Sequence, residues 1–512
     1  MSKAPTLAAL YAQCLRQNPD NIAVIEKGRA YTYREFADRV ARTIGFFERS
    51  NIAPGHRLGV SVPMSLDFLA FYVACHVAGI TISDLPPTLP DELIGHRVES
   101  GGLQTLIFDP DSFDEERVES LRDGLSVDLL STKVAHGLPG ISEALRDIRP
   151  RAIVANPAPD YAAFNYSGGT TGRPKAEGIS AEASAALPLM LMASVAYPIR
   201  PVTVAYRTSA PVLACNVAPA LLRGGTIVTL PDFDLGAIVE NSIHHGANLL
   251  FLATRSLYEL AERSDAAALR GVMELIFHGG DLLAPARIVQ LREQFGPIFA
   301  QCYGCSETGQ AAMLIPADHD PARPDVLQSV GKPMIGVEFA ILDEQGNRLP
   351  PGQIGEIAIR SPAAMTEYIG LPERTAETIR DGWVHTGDAG IMNADGYLRI
   401  VDRISNSFVS GGRRIYPSQV DALACEHAAV SGAVTVGLPG ENGGIGAILA
   451  VVLKPEATAS AAELESFVLS GGFEVSVRIM DSFPLLPAQL KVDRLRLKET
   501  LLQPTGNSAL VG

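Results

Sequence analysis

Cysteine is scarce in this chain, and that scarcity excludes one class of protein. Six cysteines occur at uneven spacing in 512 residues, which is too few for the disulfide framework of small secreted domains. Only Cys302 and Cys305 are close in sequence, and a zinc ribbon would need a second such pair. The cysteine content favours a reducing compartment, and a redox role for the close pair stays open.

The chain also lacks an excess of basic residues. Lys and Arg total 42 against 57 Asp and Glu, which gives a formal net charge of −15. Proteins that bind nucleic acid present a basic face to the phosphate backbone, and no basic cluster relieves the acidic balance. Nucleic acid is therefore excluded as a main partner.

Long hydrophobic runs are missing too. The most apolar run, from Phe68 to Ile82, is too short to span a bilayer and contains His76, so it predicts a buried helix that leads into a strand. The first residues lack the pattern of a secretory signal. We expect a cytoplasmic protein with no membrane partner.

Alternating strand and helix patterns run along most of the chain. The apolar spacing predicts a helix from Tyr33 to Ser50, a strand at Val202–Tyr206 and another at Leu249–Leu252. Such alternation indicates an α/β fold (mixed α+β) with parallel-rich sheets covered by helices. The stretch from Asp109 to Arg151 is polar and gives no clear assignment.

One stretch, Tyr166–Lys175, combines three glycines with three hydroxyl residues and a terminal lysine. Glycines let backbone amides turn inward to form an anion-binding nest, and the hydroxyls and Lys175 add donors. Such a loop suits a polyphosphate. It is not a Walker A loop, because Arg173-Pro174 stands where that motif needs Gly before the lysine. A flexible glycine–threonine turn is the alternative.

Four further motifs follow in order along the chain. They are Leu275-Ile-Phe-His-Gly-Gly-Asp281, Gln301-Cys-Tyr-Gly-Cys-Ser-Glu307, Trp383-Val-His-Thr-Gly-Asp388 with Gly396–Arg403, and Pro484–Arg494. Together with the glycine-rich stretch, this series resembles the signatures of the adenylate-forming enzymes, the superfamily of acyl-CoA synthetases, peptide-synthetase adenylation domains and luciferases. The matches span nearly the whole chain.

The resemblance implies an ATP site with magnesium as cofactor. Tyr303 would lie against adenine, Glu307 would hold Mg²⁺, Asp388 would accept both ribose hydroxyls, and Arg403 would clamp ribose and phosphate. The catalytic residues implied are Lys491, Glu307, Thr170, Lys175 and Arg403. The ATP-binding residues implied are Ser167, Gly168, Gly169, Thr170, Thr171, Gly172, Lys175, Gly280, Asp281, Cys302, Tyr303, Gly304, Ser306, Asp388, Ile400, Arg403 and Lys491.

The resemblance also implies two domains. Residues 1–404 would form a large adenylation domain, and residues 405–512 a small mobile α+β domain that carries the catalytic Lys491. Ser405 occupies the hinge position, which is commonly Asp or Lys in the family, and Leu490 stands where a glycine usually precedes the lysine, in a segment with one extra residue.

The implied reaction has two steps. A carboxylate attacks the α-phosphorus of ATP to give acyl-AMP and pyrophosphate, and a nucleophile then takes the acyl group. The acceptor stays open between the thiol of CoA, an amino acid amine as in coronafacic acid ligases, and a carrier-protein thiol. Glu474 replaces a basic residue near the CoA phosphates of relatives, whereas Ser410-Gly-Gly412 resembles aryl-CoA ligases. A non-catalytic protein that binds acyl-AMP is a separate alternative.

The acid predicted by the resemblance is aromatic, alicyclic or small and apolar. Residues 209–216 hold no aspartate, whereas peptide-synthetase domains use one there to bind an α-amino group. His278 would contact a substituent or cap its strand. The residues expected to line the acyl pocket are Tyr206, Pro211, Val212, Ala214, His278, Gly279, Cys305 and Gly309.

Overall fold

A computed structural model describes residues 4–166, 173–207, 212–281, 283–440, 444–484 and 492–502. By contacts the chain divides into two units. The first comprises Met1–Phe339, Ala358–Thr386 and Asp395–Leu398, and the second comprises Ala340–Ile357, Gly387–Ala394 and Arg399–Gly512. Three groups of predicted site residues lie outside the described residues: Ser167 to Gly172, Pro211 and Lys491.

The described strands number 26. In chain order they are β1 Ile22–Glu26, β2 Arg29–Thr32, β3 Arg57–Ser61, β4 Thr81–Asp84, β5 Thr105–Phe108, β6 Asp128–Ser131, β7 Ala163–Tyr166, β8 Ala176–Ile179, β9 Val202–Tyr206, β10 Thr226–Leu230, β11 Leu249–Ala253, β12 Leu275–Gly279, β13 Phe299–Cys305, β14 Gly309–Leu314, β15 Lys332–Pro333, β16 Glu338–Leu342, β17 Ile354–Arg360, β18 Glu367–Tyr368, β19 Ile379–Arg380, β20 Trp383–Met392, β21 Leu398–Arg403, β22 Phe408–Ser410, β23 Arg413–Ile415, β24 Val430–Pro439, β25 Ile445–Leu453 and β26 Ser476–Ile479.

The described α-helices number sixteen. They are α1 Leu7–Cys14, α2 Tyr33–Arg49, α3 Leu66–Ala78, α4 Asp91–Gly101, α5 Glu115–Gly124, α6 Ile141–Asp147, α7 Ala181–Ser194, α8 Ala218–Leu222, α9 Leu235–His245, α10 Thr254–Glu262, α11 Pro285–Phe295, α12 Pro324–Leu327, α13 Pro372–Thr378, α14 Pro417–Cys425, α15 Ala461–Ser470 and α16 Arg494–Leu502. A π-helix, Leu213–Val217, precedes α8. None of these helices is long and apolar enough to cross a membrane.

Two large sheets form the first unit. One has nine strands in the order β15-β14-β13-β12-β11-β9-β10-β1-β2, and the other has seven in the order β18-β8-β7-β4-β3-β5-β6. The inner strands of each run parallel, for example β9 beside β10 and β3 beside β4. Loops that follow parallel strands share one edge of the sheet, where ligands bind in such folds. The predicted α/β fold with parallel-rich sheets is confirmed.

Local sequence signals explain where the helices begin and end. Thr32 and Glu35 form a reciprocal capping box at the start of α2, which satisfies amides that the helix leaves unpaired. Ser65 caps α3, and Gly79 ends it in the left-handed conformation. The predicted helix and strand within Phe68–Ile82 correspond to α3 and β4. The polar stretch left unassigned, residues 109–151, contains α5, β6 and α6.

A five-stranded sheet contains β16, β17, β20 and β19 in that order, with β21 paired to β20. The boundary between the units falls within four of its strands, β16, β17, β20 and β21. Further along the second unit, β24 pairs antiparallel with β25, and β25 pairs parallel with β26. Helices α14 and α15 bury Val420 and Leu464 in a core with Leu449 and Val451 of β25.

The six cysteines all lie within the described residues, and none of them forms a disulfide. Cys14, Cys75, Cys215 and Cys302 are buried, and Cys305 is half-buried. Cys425, at the end of α14, is exposed.

Candidate active site

The glycine-rich stretch links β7 to β8, and the structure describes its two ends. Strand β7 ends at Tyr166, whose hydroxyl donates to the carbonyl oxygen of Arg97 at 2.9 Å. Lys175 lies immediately before β8, and its Nζ is 4.6 Å from the centre of the Tyr368 ring. The predicted phosphate-binding lysine is therefore placed beside an aromatic ring at the edge of the seven-stranded sheet.

That same tyrosine reaches the predicted magnesium ligand. The Tyr368 hydroxyl donates to Oε1 of Glu307 at 2.5 Å, and the Glu307 carbonyl oxygen accepts from the amide of Met365 at 2.8 Å. Burial, reinforced by the Glu307 carboxylate, raises the pKa of Tyr368, so the phenol stays a neutral donor. Tyr368 thus brings Lys175 and Glu307 to one place, although no sequence motif distinguished it from a core tyrosine.

A second carboxyl group stands on this face. Glu177, in the interior of β8, is fully buried, and neither of its carboxyl oxygens has a hydrogen-bond partner among the described residues. Burial, together with the charge of Glu307 and against the opposing charge of Lys175, raises the pKa of Glu177 to about 9. No motif in the sequence marks this residue.

The turn between β13 and β14 shapes the tyrosine–glycine motif. The Thr308 hydroxyl accepts from the amide of Cys305 at 3.1 Å and donates to the carbonyl oxygen of Gly309 at 2.8 Å. Gly309 has φ +64°, and a Cβ on Gly304 would collide with the Gly309 carbonyl. The motif therefore needs glycine at Gly304 for close strand packing. Ser306 and Glu307 follow in the turn and are half-buried.

The geometry of strand β13 disfavours a redox role for Cys302 and Cys305. Cys302 and Cys305 are three residues apart in β13, and an extended strand separates such residues by about 10 Å, beyond disulfide reach. Burial raises the pKa of Cys302 to about 12, which makes that thiol a poor nucleophile. Cys302 and the neighbouring Tyr303 are both buried, at 7% and 8% exposure.

A threonine holds the diglycine turn after β12. The Thr254 hydroxyl lies 3.2 Å from the Gly279 carbonyl oxygen and 3.0 Å from that of Asp281. Gly280 has φ +88°, which favours glycine, and a Cβ on Gly279 would stand 2.9 Å from the Cys302 carbonyl oxygen. Asp281 is exposed. Thr254, which begins α10, was missed because a threonine after a strand carries no motif.

His278, in β12, is fully buried. Its Nδ1 lies 3.2 Å from the Thr254 hydroxyl, and its Nε2 has no partner among the described residues. Burial lowers the pKa of His278 to about 3, with a further contribution from His319, so the ring is neutral. The adjacent Phe277 packs on Tyr197, and alternate strand residues face opposite sides. His278 therefore lies on the face away from Tyr197.

The other predicted acyl residues within the described chain are apolar and largely buried. Tyr206 donates to the carbonyl oxygen of Phe251 at 2.6 Å. Val212 is buried, and Ala214 is half-buried in the π-helix. Such helices occur often at functional sites. Asn216 of this helix is fully buried, and neither its Oδ1 nor its Nδ2 has a partner among the described residues.

In the second unit, the predicted ribose residues form an ion pair. Asp388 is buried at 6% exposure in β20, and the Arg403 Nε lies 2.8 Å from its Oδ1. Ile400 stands half-buried on β21. Burial with a close guanidinium partner provides the charge compensation that a buried carboxylate requires.

The predicted hinge residue, Ser405, lies in a short 3₁₀ turn, Ile404–Asn406. Asp402 fixes this turn from both sides. Its Oδ1 accepts from the Asn406 amide at 2.9 Å, and its Oδ2 accepts from the backbone amide of Ser418 at 2.8 Å. The aspartate was not singled out from the sequence.

Comparison with known proteins identifies the family to which this chain belongs. The family model for AMP-binding enzymes matches residues 11–369. The medium/long-chain-fatty-acid–CoA ligase FadD8 of Mycobacterium tuberculosis is 29% identical over 88% of this chain and 82% of its own. A feruloyl-CoA synthase from an Amycolatopsis species is 28% identical over 83% and 84% of the two chains.

Among solved structures, the amide bond synthetase McbA from Marinactinospora thermotolerans superposes with a TM-score of 0.83 at 26% identity, over 96% of this chain and 99% of the other. ATP-bound MatB from Rhodopseudomonas palustris shares the fold at 23% identity, with a TM-score of 0.80 over 96% and 98% of the chains. The expected resemblance to the adenylate-forming enzymes is confirmed. The chain belongs to the AMP-binding enzyme family and is an ATP-dependent ligase that activates a carboxylic acid as an adenylate.

Proposed function

We propose that this ligase activates an aromatic or alicyclic carboxylic acid and transfers the acyl group to the thiol of CoA. The observation that carries the acceptor is that FadD8 and the feruloyl-CoA synthase, both named for CoA products, match this chain over more than four fifths of both lengths. A non-catalytic role is disfavoured, because Glu307, Lys175, Asp388 and Arg403 are all retained.

Glu307 fits the role of magnesium ligand. Mg²⁺ prefers carboxylate and phosphate oxygens, and the Tyr368 hydroxyl fixes the orientation of the Glu307 carboxylate. The ion, when bound, supplies positive charge to the ATP phosphates. Lys175 and residues 167–172 would hold those phosphates, and Tyr303, with the turn at Gly280 and Asp281, would hold the adenine.

The reaction consists of a nucleophilic substitution at the α-phosphorus of ATP, followed by a second substitution at the acyl carbon. A carboxylate oxygen bonds to the α-phosphorus as the bond to the β-phosphate bridging oxygen breaks, and pyrophosphate leaves. The acceptor then attacks the acyl carbon, loses its proton and displaces AMP. Fixed cations lower both barriers by stabilising the charge that develops on oxygen. In this proposal Lys491 bridges carboxylate and phosphate, and Asp388 accepts from the ribose hydroxyls.

The domain assignment belongs to the same proposal. Residues 1–404 would bind ATP and the acid, and residues 405–512 would turn about Ser405 between the two steps. The support is that Ser405 lies in a short 3₁₀ turn that links β21 to β22. A change of domain arrangement between half-reactions is a gating step that can limit turnover.

An amine is the second candidate acceptor. Glu474 is exposed after α15, where an acidic side chain would repel the phosphates of CoA, and the McbA structure, named for an amide bond synthetase, covers nearly the whole chain. A carrier-protein thiol is a third acceptor of the same chemical kind as CoA.

The lack of disulfides among the six cysteines supports a reducing, cytoplasmic setting.

The proposed acid follows from the acyl segment. Val212 and Cys215 are buried apolar groups there, and Asn216 adds one buried amide, a combination suited to a ring with a polar substituent.

Product analysis by mass spectrometry tests the proposal. The purified protein, ATP and MgCl₂ would be incubated with a panel of aryl, alicyclic and fatty acids, with CoA in one tube and an amino acid mixture in another. We expect pyrophosphate release and an acyl-CoA. An amide without a thioester would select the amine acceptor, and pyrophosphate release with fatty acids alone would overturn the proposed acid class.

A further inference from the structure

Glu177 is a buried carboxyl group that the proposed roles leave unexplained. It is 0% exposed in the middle of β8, and both its oxygens lack a hydrogen-bond partner within the described ranges. Burying an unpaired acid is unfavourable, and buried polar groups are almost always satisfied. The carboxyl group of Glu177 is therefore expected to bind a partner that lies outside the described residues.

The sheet register shows where the side chain points. Glu177 stands directly opposite Tyr368 of β18 and Asn165 of β7 in antiparallel pairs, and directly opposed residues project from the same face. The Tyr368 hydroxyl reaches Glu307 from that face. Lys175, two residues earlier, places its Nζ over the same ring. Glu177 and Glu307 therefore belong to one polar cluster.

A divalent cation is the ligand that best suits two carboxyl groups at a nucleotide site. Mg²⁺ is usually bound by one or two carboxylates together with substrate phosphates and water rather than by an all-protein cage. The described residues offer no group of three or more acidic, histidine or cysteine side chains that could hold a metal. Two carboxylates completed by phosphate oxygens meet the requirement.

We propose that Glu177 is a second carboxylate ligand, beside Glu307, for the magnesium ion of the Mg·ATP complex. This inference rests on the proposed function, because it uses Glu307 as the first ligand. Glu177 would release its proton to solvent and enter the coordination shell only when the nucleotide supplies the remaining oxygens, which distinguishes it from a residue that merely completes the sheet.

Nucleotide binding with and without metal tests the assignment. Isothermal titration with a non-hydrolysable α,β-methylene ATP analogue, in MgCl₂ and in EDTA, gives the gain in affinity due to the metal. In Glu177→Gln this gain should fall at least tenfold, while affinity in EDTA stays within threefold of wild type. Electron paramagnetic resonance of Mn²⁺ with the analogue should show the same loss as a weaker bound signal.

The neighbouring strand offers a matched control. Glu367 lies beside Tyr368 on β18, opposite Gly178, and its carboxylate accepts from the Tyr161 hydroxyl. It faces away from the cluster, so Glu367→Gln should keep the full metal-dependent gain. Glu177→Val supplies a second variant, because replacing a buried unpaired acid with a similar-sized apolar group tends to stabilise. It should lose the metal-dependent gain and melt no lower than wild type.

Three outcomes would overturn the inference. One is a wild-type metal-dependent gain in Glu177→Gln and Glu177→Val. Another is an equal loss of affinity in MgCl₂ and EDTA, which would indicate a structural role. The third is a wild-type protein that binds no nucleotide in either buffer, which would also overturn the proposed function. The first two leave the proposed function intact, so the two failures are distinguishable.

Discussion

Removing the hydroxyl of Tyr368 tests the positioning of Glu307 directly. The hydroxyl donates to a carboxylate oxygen at 2.5 Å, and a hydrogen bond to a charged group contributes about 1.5–3 kcal/mol. If the whole contribution is felt in the transition state, Tyr368→Phe slows adenylation by roughly 10- to 150-fold. The ring remains in place, so its packing with Ile179 and Met365 and its contact with Lys175 should persist.

Pyrophosphate exchange at varied MgCl₂ measures this effect. We expect a lower kcat/KM for ATP and a higher magnesium requirement, with little change in melting temperature. Tyr161→Phe is the matched control, since that hydroxyl donates to Glu367 in the same sheet and exchange should be unchanged. Wild-type exchange kinetics in Tyr368→Phe would refute the claim that this tyrosine positions Glu307.

Three further predictions concern other residues. Asn216→Leu should lower kcat/KM for acids with a polar ring substituent by about 10-fold or more relative to unsubstituted acids. The reason is that the buried amide of Asn216 is unpaired among the described residues and would pair with such a substituent. Equal losses of kcat/KM for both kinds of acid would contradict substituent recognition. Thr254→Val should raise KM for ATP by roughly fivefold, since the lost hydrogen bond to the 279–281 turn contributes about 1 kcal/mol. Unchanged ATP kinetics would show that the turn keeps its conformation without this hydrogen bond. Burial raises the pKa of Asp421 to about 7, so the folded protein keeps this proton to a higher pH than the unfolded chain, and the free energy of unfolding should fall by roughly 2–3 kcal/mol between pH 5 and 7.5. Urea unfolding should show that fall in wild type and not in Asp421→Asn, and identical pH profiles would refute the raised pKa.

The sequence predicted well where a local pattern fixes local structure. The apolar spacing from Tyr33 predicted α2, and the structure adds the capping box at Thr32 that begins it. The Asp388 and Arg403 motifs, fifteen residues apart, meet in an ion pair. Because Asp388 and Arg403 are close in sequence and lie on the paired strands β20 and β21, contact between the two motifs can be predicted from the chain alone.

The sequence failed where the site depends on distant strands. Tyr368 lies in a two-residue strand that pairs with β8, nearly two hundred residues earlier, and no periodic pattern marks so short a strand. Nothing in the sequence marks Glu177 as buried, because its burial comes from strands on both sides of β8. His278 was expected at the acyl pocket or at the strand end, and its bond to Thr254 depends on the packing of α10. The role of residues 167–172 and Lys491 stays a prediction.

The distribution of cysteines has a practical consequence for studying this ligase. Maleimides react with accessible thiolates, and burial raises the pKa of Cys14 and Cys302 to about 12 and also raises that of Cys75 and Cys215. Partial burial raises the pKa of Cys425 as well, and what separates it from the other five is that it is the exposed thiol. One equivalent of a dye or spin label should therefore attach first to the end of α14, which gives the second unit a spectroscopic reporter in the unaltered protein.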